Sequence, residues 1–539
     1  FTQRGTRHSV RSAAIHGSLG ALVLTAATIV PASGSHALPL PLRNAREAAG
    51  AAVAAKAAAA AGIDWTKCPA SEGLTARVQC GKVTVPVDYA DPRGEKIRLT
   101  VSRMKATGPS TGRQGALVHN PGGPGSNGMA FPLYGSMAGG VWKQLNKTYD
   151  FVGYAPRGVG RSAPLRCQEP KSADNGPSRS PREPSAAFKR RMQQKAAAYA
   201  GACARELGDR LDHWTTPDNA RDLDVMRAAL GSRKLNYLGV SYGSYLGAVY
   251  ATLFPGHVRR LVLDSIVDPR PDKIWYQANL DQNPAFERRW NDWKRWVARH
   301  SSVYGLGRTS RAVQHNFDRA RDAIDRGPVG GSAGRDVGSK QLLSGFIDVV
   351  YNDDAWAQYA AALAEFRKGD PQPLVGLVAP DPDAQGDKAN SDAVYNAVQC
   401  ADAPWPRDWS RWDRDNTALA RRAPFQTWEN AWMNLPCAYW RSRQSRPVDV
   451  HTGPGQLPHA LLLAATRDPA TPYEGAVETW RRLSGSTLIT EKGAGTHGVT
   501  GGNKCADRHL AAYLLDGKTS GPAVECAARP APEAAPEGT

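Results

Sequence analysis

From about residue 78 onward the chain alternates short apolar runs with turns and amphipathic stretches. Val83 to Val87 and Ile97 to Arg103 read as an opening antiparallel pair of strands. Gly115 to His119, Phe151 to Tyr154, Leu235 to Val240, Arg260 to Asp264, Ala460 to Ala465 and Thr487 to Thr490 follow, with amphipathic stretches such as Asp218 to Leu230 between several of them. Strands that alternate with helices predict a mostly parallel sheet covered on both faces. Functional loops of such sheets gather at the carboxyl ends of the strands. The rhythm breaks over residues 268–449, where Asn283 to His300 and Trp356 to Lys368 have a helical texture. That segment holds 11 of the chain's 15 tryptophans, enough aromatic volume for a core of its own. It is predicted to be a helical cap inserted into one α/β domain, whose two parts are 64–267 and 450–539.

The N-terminal pattern changes the picture of where the protein works. Arg4, Arg7 and Arg11 precede an apolar run of 12 residues, Leu19 to Val30, which gives way to Ser33-Gly34-Ser35-His36-Ala37. A basic start, a short apolar core and small residues at a cleavage point make a secretory signal peptide over 1–37. A membrane anchor is the competing reading, but spanning a bilayer takes about 20 apolar residues. The body is therefore expected to be secreted, with no membrane attachment after signal cleavage. Residues 38–63 are alanine-rich, which favours a helix yet offers few large side chains to a core. A propeptide or linker and a bare N-terminal extension both fit that composition.

Composition adds exclusions. Across 539 residues, 41% hydrophobic and 22% charged, the chain is neither a collagen, a coiled coil nor wholly disordered. The formal charge is +18, of which +5 falls in the first 63 residues. No stretch clusters five or six basic residues as a nucleic-acid tail does, so the charge reads as a solvated surface and no nucleic acid is expected as partner. Eight cysteines, an even count in an exported chain, argue for disulfides. None forms a C-x-x-C pair, so a metal site is not expected. Of the 105 connectivities open to eight cysteines, the simplest pairs sequence neighbours: 68–80, 167–203, 400–437 and 505–526.

The chemistry centres on G-x-S-x-G. The pattern at 330–334 has no strand before it and no helix directly after, so it reads as a loop. Gly239-Val240-Ser241-Tyr242-Gly243 instead follows the strand Leu235 to Leu238 and leads into a helix start. A serine on such a strand-to-helix turn is pushed above the sheet, and its neighbours must be small. A serine nucleophile needs a base, and the base an orienting carboxylate, in the chain order Ser, acid, His. Asp468 lies on a Pro-bounded loop at the end of the strand Ala460 to Ala464, and His497 lies in Gly493-Ala494-Gly495-Thr496-His497-Gly498. His509 competes for the base but sits inside the helical run Asp507 to Leu515. The run Asn120-Pro121-Gly122-Gly123-Pro124-Gly125 after another strand suits an oxyanion hole, with the N–H groups of Gly123 and Tyr242 as donors.

Together, H-N-P-G-G-P-G at 119–125, G-Y-A-P-R-G-V-G-R-S at 153–162, G-V-S-Y-G-S-Y-L-G at 239–247, R-D-P-A-T-P at 467–472 and G-T-H-G at 495–498 resemble the secreted actinobacterial tripeptidyl aminopeptidases. These are α/β-hydrolases related to proline iminopeptidase, and the resemblance covers roughly 64–530. It implies a serine exopeptidase that releases short peptides, typically tripeptides, from free N-termini. It also implies a precursor with a propeptide, hence a propeptide-processing protease as partner. By position, Ser241, Asp468 and His497 match the triad, and Gly123 and Tyr242 the oxyanion donors. Relatives commonly read D-P-R-G where this chain has Ala155-Pro156-Arg157-Gly158, so altered support for that loop is expected.

The reaction implied is acyl transfer to water, which needs no metal or organic cofactor. A secreted esterase or lipase with a helical lid would use the same machinery, as would a prolyl aminopeptidase-type activity. A catalytically dead fold serving as a binding module is disfavoured by the intact Ser–Asp–His order. An exopeptidase must also recognise a charged α-amine, and a buried ammonium needs an anionic partner. Asp402, next but one to Cys400 in the cap, is the expected substrate-binding residue, with Asp353 and Asp354 as rivals.

Overall fold

Apolar runs buried on both faces make the centre of the molecule. In the computed structural model, which describes residues 40–137, 139–167, 176–330 and 336–534, ten strands form one sheet. They are β1 (Thr66–Lys67), β2 (Gln79–Pro86), β3 (Lys96–Met104), β4 (Ala116–Asn120), β5 (Asp150–Tyr154), β6 (Leu235–Val240), β7 (Val258–Asp264), β8 (Ala460–Ala465), β9 (Thr487–Lys492) and β10 (Ala523–Ala527). Their order is β1-β2-β3-β5-β4-β6-β7-β8-β9-β10. The β1–β2, β2–β3 and β3–β5 pairs are antiparallel, and every pair from β5–β4 to β9–β10 is parallel. This is the sheet of an α/β-hydrolase. Every residue of β8 is buried, which is why it reads as an unbroken apolar run rather than an alternating one. The expected strands are all present. The expectation lacked β1, two polar exposed residues, and β10, an edge strand with only Cys526 buried. The expected signal peptide at 1–37 and residues 331–334 of the second G-x-S-x-G lie outside the described residues.

Among the described residues, every named element between β7 and β8 is a helix or a 3-10 turn, apart from isolated bridges of Val329 with Val337 and of Thr452 with Leu483. This block packs around aromatic side chains, among them Trp290, Trp293, Phe317, Phe346 and Phe425. The four disulfides join Cys68–Cys80, Cys167–Cys203, Cys400–Cys437 and Cys505–Cys526, the neighbour pairing. Among the described residues, no helix is long and apolar enough to cross a membrane.

The alanine-rich segment behaves differently from its composition. Helix α1 (Leu40–Ala61) docks on helix α2 (Thr216–Ala229) and on β2, and buries Ala51, Ala54, Ala55 and Ala58. Small side chains here permit close approach instead of supplying volume. A Cβ on Gly50 would stand 1.8 Å from the Tyr89 carbonyl oxygen. Glu47 adds an ion-pair chain, accepting from Arg43 at 2.6 Å and from Arg221 at 2.6 Å, while Arg221 also reaches Asp218 at 3.0 Å.

Gly50→Leu separates docking from tethering by its sign. Leucine favours a free helix over glycine by roughly 1 kcal/mol, whereas overpacking a docked interface costs about 1–3 kcal/mol. We expect a lowered midpoint in urea unfolding; a raised midpoint would show that α1 does not stay on α2.

Candidate active site

The turn between β6 and helix α3 (Tyr242–Leu253) carries Ser241 in the left-handed region, at φ 59° and ψ −126°. A non-glycine residue in such a sparsely populated backbone conformation costs about 1–3 kcal/mol, so close packing must hold the turn. A Cβ on Gly239 would lie 2.1 Å from the Gly243 carbonyl oxygen, and one on Gly243 would lie 2.4 Å from that of Asn120. No side chain fits at either place. The Ser241 N–H donates to the Asp264 carbonyl at 3.0 Å. Its hydroxyl has no hydrogen-bond partner among the described residues and lines a cavity of about 940 Å³.

Asp468 follows β8 and is buried. Its Oδ1 accepts the N–H groups of Ala470 and Thr471 at 2.9 and 3.0 Å, which bends the loop back. His497 Nδ1 stands 3.0 and 2.9 Å from the two Asp468 oxygens, so this nitrogen carries the proton and donates it, leaving Nε2 to accept. Burial alone would lower the imidazole pKa. The Asp468 carboxylate outweighs it, by charge and by hydrogen bond, and Asp264 adds to it, so the pKa is raised above the ordinary value of 6.5. The rival His509 sits on an exposed helix face against Ser520, away from this group.

The glycine loop after β4 presses on the same turn. A Cβ on Gly122 would meet the Val240 carbonyl oxygen at 2.6 Å and the Tyr242 nitrogen at 3.1 Å. Gly122 and Gly123 have φ of 104° and 101°, open to glycine. Gly123, Ser241 and Tyr242 line one cavity. The structure thus gathers Gly123, Ser241 and Tyr242 on one cavity and pairs Asp468 with His497, and both the Ser241 turn and the loop after His497 bond to Asp264.

Asp402 is placed elsewhere. It ends helix α5 (Gln385–Asp402), is buried, and is absent from the cavity lining. Its Oδ1 accepts the Thr216 N–H at 2.7 Å, and its Oδ2 accepts the Thr216 hydroxyl at 2.6 Å and the Trp275 indole N–H at 3.1 Å. Thr216 in turn meets the Tyr242 hydroxyl at 2.9 Å. Asp402 therefore fastens the helical block to the first turn of α2 and, through Thr216, to the side chain of the residue after Ser241, with both oxygens engaged away from the cavity. Asp353 pairs with Arg289, and neither it nor Asp354 lines the cavity. The loop that starts with Ala155 draws its support from Arg157, which makes two 2.7 Å bonds to Asp222, and from Asn390, which bonds Gly158, Gly160 and Leu165.

Two contributors escaped sequence reasoning. Tyr351 accepts the His497 N–H on its carbonyl at 2.8 Å and sets its ring edge-on to the imidazole, 5.2 Å away. Asp264 lies beneath the histidine loop; its one visible signal was an acid ending a strand beside the nucleophile strand.

Over 491 residues the chain is 52% identical to the tripeptidyl aminopeptidase of Streptomyces lividans, covering 90% of each protein. It is 31% identical over 489 residues to the serine protease Hip1 of Mycobacterium tuberculosis, covering 86% of this chain and 91% of that one. It is 33% identical over 482 residues to carboxylesterase B of the same organism, with 86% and 89% covered. A family described as TAP-like protein matches residues 423–526.

The Asp402 setting predicts a pH signature in stability. Burial raises its pKa from 3.8 to about 6, against the opposing hydrogen bonds from Thr216 and Trp275. The unfolded chain releases this proton near 3.8 and the folded one near 6, so Asp402 makes stability fall as pH rises between them. The full swing is on the order of 3 kcal/mol. Asp402→Asn lacks that titration, so urea midpoints of variant and wild type should converge as pH rises from 4 to 7. A constant gap would mean that Asp402 ionises as freely as in the unfolded chain.

Proposed function

As a member of the tripeptidyl aminopeptidase family of α/β-hydrolases, the chain is a serine exopeptidase acting on peptides, and we propose that Ser241, His497 and Asp468 form its catalytic triad. The observation that carries this assignment is the Asp468–His497 pair, which leaves Nε2 as an acceptor on a loop tied, through Asp264, to the Ser241 turn. Ser241 Oγ attacks the scissile carbonyl carbon while its proton passes to Nε2. The oxyanion takes the N–H groups of Gly123 and Tyr242. The carbon–nitrogen bond then breaks, Nε2 returns the proton to the leaving amine, and water repeats the sequence to release the acyl group. The hydrogen bond from Ser241 to His497 closes when substrate fills the site, as such bonds tighten in the reacting complex.

The free N-terminus requires an anion in the cavity. Of the carboxylates that line it, Asp268, Asp281 and Asp392 are paired with Arg270, Lys273 and Lys388. Glu474 is exposed at the start of a helix. Glu429 is half-buried on the helix Thr427–Asn434, and one of its oxygens takes the Ser180 hydroxyl at 2.5 Å, which leaves the other to receive an ammonium. The signal-peptide pattern together with four disulfides supports secretion. If a processing protease acts on this chain, its site lies outside α1, whose glutamate and alanine face are buried.

The 33% identity to a carboxylesterase supports ester hydrolysis as a second reading. One experiment separates the two: a defined peptide ladder, free and N-acetylated, is digested and read by mass spectrometry beside a small neutral ester. Wild type should release tripeptides from the free ladder alone, and Ser241→Ala should lose about 10⁴-fold or more in kcat. Turnover of the ester with both ladders intact would establish the esterase. Glu429→Gln should raise KM for free-amine peptides about tenfold, the worth of one charge-assisted bond, and leave the ester's KM alone. Equal changes on both substrates would remove Glu429 from amine recognition.

A further inference from the structure

Asp264 ends β7, the neighbour of the nucleophile strand, and is fully buried. Among the described residues it forms no ion pair with a lysine or arginine; backbone donors satisfy it instead. Val499 N–H stands 3.0 Å from each of its oxygens and Thr500 N–H 2.8 Å from Oδ2. Ser265, next in the chain and at φ 51°, accepts the Gly498 N–H on its hydroxyl oxygen at 2.8 Å. Three consecutive N–H groups directly after His497 are thus held by two adjacent side chains. The same dipeptide reaches the other two partners through its main chain. The Asp264 carbonyl takes the Ser241 N–H at 3.0 Å, and the Ser265 N–H donates to Leu463 of β8, the strand that leads to Asp468, at 3.0 Å.

The histidine loop follows β9 through Gly493 and Gly495. Before His497 it is tied by the Gly493 N–H to the Thr466 hydroxyl at 2.8 Å, and the Ala494 carbonyl takes the Arg467 N–H at 2.9 Å. At and after His497 its ties besides Asp468, Asp264 and Ser265 are the Tyr351 carbonyl from the helical block and Arg529, which donates to the Gly498 carbonyl at 3.1 Å. A glycine-rich loop without side-chain anchors samples many positions, and a misplacement near 1 Å costs a reaction about 100-fold. We propose that Asp264 and Ser265 are positioning residues for the peptidase reaction, fixing the loop of His497 relative to Ser241 and to the strand of Asp468. The assignment rests on the triad reading above. Asp264 also acts electrostatically. The charged or titratable groups around the imidazole are Asp468, Asp264, Asp353, Arg289, Arg529 and the Tyr351 phenol, and the charge of Asp264 adds to that of Asp468 in raising the His497 pKa.

The test uses the full chain with Asp264→Asn and Ser265→Ala. The asparagine keeps the volume but turns an NH₂ toward backbone N–H donors. It should lower kcat about 100-fold on peptide and ester alike, with KM within about twofold, and move the acidic limb of kcat/KM to lower pH. Ser265→Ala removes one hydrogen bond and no charge, so kcat should fall about fivefold with the limb in place. Wild-type kcat in a folded Asp264→Asn protein would overturn the proposal. So would a kcat loss with KM altered in step and the acidic limb unmoved, the mark of a merely structural residue. If Asp264→Asn does not fold, Ser265→Ala decides alone, and an unchanged kcat refutes the positioning role. Labelling by a fluorophosphonate keeps the two readings apart: modification of a serine other than Ser241 in the wild type would sink the triad itself, whatever the variants do.

Discussion

A serine forced into the left-handed region between a buried strand and a buried helix is the constraint on which the rest of the molecule turns. The conformation is unfavourable locally, so it survives only where the surroundings allow no alternative. Gly239 and Gly243 leave no room for side chains around it, Gly122 packs onto its carbonyl side, and its own N–H is fixed to the end of β7. The gain is a hydroxyl with no hydrogen-bond partner among the described residues, on a cavity that Tyr242 also lines. Parallel neighbours on both sides of β6 make this possible, because they bring the ends of β4 and β7 to the height of the turn.

The helical block is more than a roof. Asp402 reaches the first turn of α2 and, through Thr216, the Tyr242 side chain. Asn390 binds the loop after β5 by three hydrogen bonds. Arg467, directly before Asp468, makes two bonds of 2.9 and 2.7 Å to Asp292 on the helix Tyr276–Arg299. Tyr351 holds the backbone of His497. The turn of Ser241 and the loops of Asp468 and His497 therefore each have one anchor in the sheet and one that leads to the helical block. A cap attached in this way lines the cavity and also braces the loops beneath it.

The strands of the sheet were legible because burial on both faces leaves mostly apolar runs, unbroken in β8. The chemical residues were legible because glycines and prolines mark the turns that present them. What was not legible depends on docking. A carboxylate at the end of α5 looks the same in sequence whether it faces the cavity or Thr216, and only the placement of the helix decides. Asp264 carries no motif, since an acid ending a strand is common and its meaning comes from two N–H groups more than 230 residues further on. The alanine run misled for the opposite reason: lack of volume suggests lack of a core, whereas α2 and β2 offer a surface that only small residues can approach.

The way this molecule satisfies its buried acids divides scaffold from chemistry. In the scaffold, Asp222 pairs with Arg157, Asp224 with Arg227 and Asp218 with Arg221, so each charge is neutralised by contact. Behind the Ser241 turn and beside His497 the pattern changes. Asp468 has backbone N–H groups and the imidazole, Asp264 has backbone N–H groups and a serine hydroxyl, and Asp402 has a backbone N–H, a threonine hydroxyl and an indole. Hydrogen bonds from neutral donors stabilise a carboxylate without cancelling its charge at a distance, whereas a guanidinium in contact would do both. An imidazole that must gain a proton during each cycle gains most from charges of the first kind, because its cationic form then meets uncompensated negative charge in a medium of low polarity. Among the described residues Asp264 and Asp468 have no arginine or lysine contact, which is the electrostatic counterpart of the crowded serine turn. The turn fixes where the proposed nucleophile stands, and the uncancelled carboxylates raise the proton affinity of the proposed base.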